Sequence, residues 1–264
     1  MSSRALPENA TDIASLRYYV EAVLDPDATF GLEVIPGSTW FFRGHRLASW
    51  GEPMPRIDRA EFRRLRDTRQ WSRQAHEERP LWDFKKTARL VLPVTAENDW
   101  EWLAIGQHHG LPTRLLDWTR NPLAALYFAV EIPAGEEATP KSVPESAVWC
   151  YRQDEGPSWT SYPGGPLTIR VIVPFAPPYV SPRIPAQAAC FTAHPEPDSG
   201  RAGWNRPLRA FRIPGVFRGR IRAELRTRFQ ITRGSLFPDL DGACGALAQE
   251  WSTPNDEQDA GPVV

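Results

Sequence analysis

The stretch GQHHGLPTRLLDWTRNPLAALYFAV, residues 106–130, decides how this chain folds. Gly110 ends a preceding helical pattern as a C-cap, and Pro112 follows in the turn. Arg114–Asp117 is short and apolar, which suits a strand. Asn121-Pro122 then opens a helix. Asn is a strong cap for the free backbone N–H groups, and Pro fits the first helical position because its missing N–H has no partner to lose there. The apolar run LAALYFAV continues that helix.

Working outward from this stretch, the amino-terminal half reads as helices. Thr11–Leu24 places Ile13, Leu16, Val20, Val23 and Leu24 on one stripe, with Thr11 or Asp12 as cap. Thr39–Arg43 (TWFFR) is an aromatic strand that ends in a turn at Gly44. An arginine-heavy helix follows over Asp58 to about Gln74. Another starts at Pro80 and runs through Leu81, Phe84 and Ala88, and a third runs from near Asn98 to Gly110. The second half reads as strands: Ala147–Tyr151, Leu167–Val173 with clean alternation, Ala186–Thr192 and Leu208–Ile213. Phe217, Ile221 and Leu225 mark one late helix. Helices before a mainly antiparallel strand-rich half imply an α+β fold. No repeat or linker divides the chain, so the expectation is one domain over residues 1–251, with its core at 38–250 and a disordered polar tail at 252–264.

Composition excludes several classes. The chain has 264 residues, 41% hydrophobic and 24% charged, with 11 Trp, 12 Phe and 6 Tyr, which is ample for a core without staples. A net charge of −1 argues against a polybasic arm or an acidic tail. Three scattered cysteines (Cys150, Cys190 and Cys244) outside any CxxC spacing fit a reducing compartment. The start MSSRALPENATDIASL shows no apolar core behind a basic end, and the apolar run Leu123–Val130 is far short of the ~20 residues that span a bilayer. The expectation is a cytoplasmic protein without membrane contact.

Three segments carry chemistry-bearing residues. Arg43-Gly44 at a strand end suits bidentate capture of a phosphate or carboxylate, with a glycine that lets a ligand or another backbone approach. The plain reading is an arginine paired with a neighbouring acid. Gln107, His108, His109, Thr113, Arg114 and Asp117 pack two imidazoles, a guanidinium, a hydroxyl and a carboxylate around one turn. Adjacent histidines at a helix end project about 100° apart, so no metal is expected there. Gln187, with Arg183, sits on an otherwise apolar strand, where a satisfied core amide or an edge residue is the commoner reading. Two arginine runs are candidate phosphate-tracking faces. Arg63, Arg66, Arg69 and Arg73 share a helix side, and Arg218–Arg228 form the second run. A solvated face, partly neutralised by Asp58, Glu61 and Asp67, is the alternative.

Taken together, WFFRGH (40–45), QHHGLPTRLLDWTRNPLAALYFA (107–129), RIPAQAACF (183–191) and SLFPDLDG (235–242) resemble the FRG domain of bacterial and phage proteins. Four motifs in the right order span roughly residues 38–250. That family commonly has a glycine two residues after the glutamine, where this chain has Ala189.

A weaker resemblance to ADP-ribosyltransferases goes further. It implies an ADP-ribosyltransferase-like sheet and NAD as substrate. It places Arg43 on the NAD diphosphate, Thr113 and Arg114 along the pocket, and Tyr127 or Phe128 against nicotinamide. Gly44 and Gln107 complete the expected cofactor contacts, and Gln187 stands where those enzymes carry a late-strand glutamate. A neutral amide cannot act as a base. Asp117 is therefore the first candidate carboxylate and Glu224 the second, with His108 as a candidate base.

Three functions remain in view. The first is a NAD-consuming transferase, a toxin or phage-defence effector acting on a nucleic-acid or protein acceptor, with Arg43, His108, Asp117 and Gln187 as its catalytic set. The second is a non-catalytic nucleic-acid or nucleotide-binding module using Arg63, Arg66 and Arg69. The third is a metal-dependent hydrolase or nuclease built on His108, Asp117, Asp239 and Asp241, although those last two aspartates better suit a self-bonded turn.

Overall fold

Seven strands form one sheet: β1 (Thr11–Asp12), β2 (Thr39–His45), β3 (Leu115–Thr119), β4 (Ser146–Gln153), β5 (Val173–Phe175), β6 (Ala189–Ala193) and β7 (Arg209–Ile213). Their order across the sheet is β1-β7-β4-β2-β3-β6-β5, and every pairing is antiparallel except the short β1–β7 contact. The computed structural model describes residues 6–7, 10–24, 32, 39–63, 73–92, 96–132, 143–154, 159–178, 181–196, 204 and 208–252. The helices are α1 (Leu16–Leu24), α2 (Ala60–Arg63), α3 (Arg73–Val91), α4 (Asp99–His108), α5 (Pro122–Val130), α6 (Arg183–Ala186), α7 (Gly215–Phe229), α8 (Arg233–Leu236) and α9 (Leu240–Ser252). This is the mixed architecture with a mainly antiparallel sheet that the sequence implies. Among the described residues, no helix is long and apolar enough to cross a membrane.

Strand periodicity sorts the core onto two faces. On one face, Phe42, Val148, Cys150, Phe211 and Ile213 pack under α1, α5 and α7. Further along that face, Leu115, Phe191, Ala193, Val173 and Phe175 pack under α3 and α4. The opposite face carries Phe41, Trp118, Trp149 and Tyr151, with Trp204 against them. Asp117 has the parity of Leu115 and Thr119, so it stands on the helix-covered face, where the two groups of helices meet.

The sheet is nearly divided at this point. β2 pairs with β4 over seven residue pairs and β3 with β6 over five, but β2 and β3 are joined only at Phe42↔Thr119. Beyond that bridge the two strands diverge. The backbone groups that a strand partner would satisfy must find other partners, because buried N–H and C=O groups are costly to leave unmade.

α5 forms as read. The Asn121 side chain accepts from Leu123 and Ala124 N–H, and Pro122 opens the helix. Ala124, Ala125, Leu126, Ala129 and Val130 are fully buried, the pattern of a helix that is apolar all round. α4 likewise begins at its Asn98 cap and ends ahead of Gly110, whose φ of +89° supplies the left-handed residue that closes it.

Several boundaries differ. Thr11 and Asp12 belong to β1, with Asp12 held by Nε and Nη2 of Arg212, and the Ser15 hydroxyl caps α1 by accepting from Tyr18 N–H. On α1 the buried residues are Leu16, Tyr19 and Ala22, while Leu24 is exposed. β2 runs through Gly44 to His45 rather than turning there. α3 begins at Arg73, so Pro80 lies inside it. Leu167–Val173 is not a strand. Two positive-φ glycines (Gly164 and Gly165) and Pro166 put a 3-10 turn at Pro166–Thr168, and pairing starts only at Val173. Ala186–Thr192 is likewise extended only from Ala189, because α6 and a turn at Gln187-Ala188 occupy its start. The arginine helix expected over 58–74 is described only at Ala60–Arg63 and from Arg73, and the tail beyond Ser252 lies outside the described residues.

Candidate functional site

The opening between β2 and β3 is filled by polar side chains. Arg43 lies on β2 one residue past the bridge, and its Nη1 donates to the Asp117 carbonyl at 2.7 Å. It thus satisfies a carbonyl on the edge of β3 from which β2 has diverged. The same nitrogen lies 3.5 Å from the Asp117 carboxylate. Arg43 Nε donates to His45 Nε2 at 3.2 Å. Arg43 is mostly covered, with 20% of its side chain exposed, whereas 57% of the Asp117 side chain meets solvent. The plain pairing with a neighbouring acid is therefore present, but it is a half-open pair at the surface.

α4 brings the other half of the site. Gln107 Nε2 donates to Asp117 Oδ1 at 2.9 Å, and the Thr113 hydroxyl donates to Gln107 Oε1. That hydroxyl also accepts from Leu115 N–H at 3.1 Å. Thr113 thereby fixes which end of the amide faces Asp117. A guanidinium and an amide donor hold one exposed carboxylate. His108 stands at the end of α4, its ring edge-on to His109 at 5.1 Å. Burial lowers its pKa most, His109 and Arg183 lower it further, and Asp239 and Asp117 oppose them. The imidazole is therefore neutral at pH 7 and able to take a proton.

The third and fourth motifs meet beside it. Arg183 grips Asp239 through Nε and, at 3.0 Å, through Nη2. Asp239 also accepts from Gly242 N–H at the start of α9, and the two contacts lower its pKa to about 2. The guanidinium of Arg183 lies 5.1 Å from the centre of the Phe237 ring. Segments separated by up to two hundred residues thus converge around the split.

Residues 38–138 match the family model described as the FRG domain. The chain carries an FRG domain. The matched segment takes in WFFRGH and QHHGLPTRLLDWTRNPLAALYFA, while RIPAQAACF and SLFPDLDG lie beyond it. No curated protein and no solved structure matches the chain. The FRG segment therefore supplies Arg43, Gln107, His108 and Asp117, and the chain after it supplies Arg183 and Asp239.

Other candidate residues of the FRG segment are built into the interior. Arg114 is 2% exposed, with Nε donating to Glu77 at 2.6 Å and Nη1 to the Pro166 carbonyl at 2.9 Å. It forms an internal ion pair. Thr113 is 1% exposed and acts through Gln107. Gly44 faces helix backbone instead of ligand, since a Cβ there would sit 2.2 Å from the Ala125 carbonyl. Tyr127 is in the core, and Phe128 packs half-buried between Gly44 and Phe237.

Gln187 sits in the turn after α6 and not on a strand. Its Nε2 donates to the Leu236 carbonyl at 2.9 Å, and its own carbonyl accepts from the Thr119 hydroxyl at 2.5 Å. It ties α8 to the sheet, as a satisfied amide does. Glu224 is bonded to Arg220 on α7. Arg66 and Arg69 lie outside the described residues, as does the side chain of Arg63. Among the described residues, no three His, Cys, Asp or Glu side chains group to hold a metal. Asp239 and Asp241 both face Arg183 instead. Asp239 holds its own turn as expected, through Gly242 N–H, but Arg183 lies in α6 and not on a strand, and a spacing of 56 residues gives no signal that the two pair.

Proposed function

We propose that this protein is an ADP-ribosyltransferase-like enzyme that consumes NAD and transfers ADP-ribose to a nucleic-acid or protein acceptor. The observation that carries this reading is the exposed Asp117 carboxylate, held by Arg43 and Gln107 where the sheet divides. Breaking the nicotinamide–ribose C–N bond leaves positive charge on the ribose, and the electron pair departs with nicotinamide. A carboxylate fixed before the reaction stabilises that charge without reorganising. Arg43, through the guanidinium edge it does not use on Asp117 or His45, binds the diphosphate. Phe128 gives nicotinamide an apolar wall. The acceptor nucleophile attacks the ribose carbon and passes its proton to His108, which is neutral and beside Asp117. Gln187 takes no part in the chemistry, and Asp117 fills the role that a late-strand glutamate has in the resembling enzymes.

The test is nicotinamide release from NAD by the full chain, with and without a bacterial extract as acceptor source. Asp117→Asn is expected to lower the rate at least about a hundredfold, in the range seen when a group stabilising transition-state charge is removed. No release by the wild type in either condition, or equal release by Asp117→Asn, overturns the reading.

A further inference from the structure

Trp50 and Arg59 have no part in the mechanism above, yet both act on His45, the imidazole bonded to its arginine. Trp50 ends the 3-10 turn at Ala48–Trp50, just after the WFFRGH motif, and is 50% exposed. Its ring meets His45 nearly edge-on at 5.6 Å, and the Arg46 guanidinium lies 5.9 Å from its centre. His45 in turn accepts the hydrogen bond from Arg43. One buried imidazole thus separates a half-exposed indole from the guanidinium that holds Asp117.

A second guanidinium, that of Arg59, acts on the same imidazole. It follows the turn at Arg56–Asp58, which is fastened to the end of α4 by Arg56 Nη1 donating to the Gly110 carbonyl at 2.8 Å. Arg59 is exposed. Its charge is close enough to act on both Arg43 and His45. The charge of Arg59 opposes that of Arg43. An anion set between them relieves that repulsion, and the arginine fork matches phosphate oxygens. An exposed indole beside a phosphate site provides a stacking face for any nucleobase.

We propose that Arg59 and Arg43 bridge the phosphates of a nucleoside diphosphate and that Trp50 carries its base. The proposal rests on the reading of Asp117 only for the direction in which the rest of a dinucleotide would extend.

Calorimetric titration of the full chain with ADP and with inorganic pyrophosphate separates the two contacts. ADP is expected to bind about tenfold more tightly than pyrophosphate, which is within the range that stacking one base supplies. Trp50→Ala should bring ADP down to the pyrophosphate level and leave pyrophosphate unchanged, while Trp50→Phe keeps most of the difference. Arg59→Gln should weaken both ligands about tenfold. Equal wild-type affinity for ADP and pyrophosphate, binding of neither, or an equal loss of both in Trp50→Ala overturns the proposal. If Trp50→Ala does not fold, Trp50→Leu makes the same test with the space filled. ADP contains no nicotinamide bond, so the outcomes stay distinct. ADP discrimination without nicotinamide release sinks the transferase and keeps this subsite, and release without discrimination does the reverse.

Discussion

Arg43 and Arg114 show how little a residue type says until its surroundings are known. Both follow apolar or small residues in motifs of the FRG segment, and both read as site residues, Arg43 as an anion binder and Arg114 as part of the pocket. Arg114 is sealed against Glu77, while Arg43 reaches an edge where its acid partner is wet. The difference comes from α3, which carries Glu77 over that part of the sheet, and no local pattern around either arginine reports it. Arg114→Met should therefore destabilise the fold by about 3–5 kcal/mol, because it takes the guanidinium away from the buried Glu77 carboxylate. Replacing Glu77 with Leu as well should recover much of that loss, and urea unfolding of the three variants measures it. Asp117→Asn sits in a half-exposed pair and should cost no more than about 1 kcal/mol. A large loss of stability there would mean that Asp117 serves the fold more than the chemistry.

At the scale of elements, the segments with strong stop signals were legible. Asn121-Pro122 and Asn98 capped their helices as read, and β4 and β7 lie where their apolar, aromatic-rich runs put them. Segments whose pattern was right but whose turn chemistry intervened were not. Leu167–Val173 alternates, yet the glycines and proline before it hold it out of the sheet. Gly44 read as a turn because glycine usually marks one, whereas here it lets α5 lie on β2. Gly44→Ala would drive a methyl into the Ala125 carbonyl and the Ala129 amide, so it should cost about 3 kcal/mol or prevent folding. A thermal melt distinguishes that from a harmless change. Ala188 has the opposite problem, because its φ of +46° is a left-handed conformation that a side chain disfavours. Ala188→Gly should stabilise the turn by roughly 0.5–1 kcal/mol, read as a higher denaturation midpoint.

At the scale of the molecule, composition and element order gave the class of fold, but not that the sheet is pinned across its middle by one residue pair. That division follows from strand lengths and divergence that arise only when all seven strands assemble. It places Arg43 where its charge must be tolerated in the interior, and His45 bears the consequence. Burial, Arg43 and Arg59 together push the His45 pKa down to about 3. In the unfolded chain the same imidazole titrates near its ordinary value of about 6.5. Between those two values the unfolded state binds the extra proton, so stability rises with pH and is lost on acidification through that window. Between pH 7 and pH 5 this one group should remove about 2 kcal/mol, at about 1.4 kcal/mol per unit once below its unfolded pKa. Carboxylates are still mostly ionised there, which leaves histidines to dominate the slope. His45→Gln keeps an acceptor for Arg43 but has no proton to gain. Urea unfolding of His45→Gln at the two pH values should therefore show a loss smaller than that of the wild type by about the same 2 kcal/mol. An unchanged loss would mean that His45 is charged in the folded protein, and two guanidiniums could not then share its neighbourhood without a bound anion.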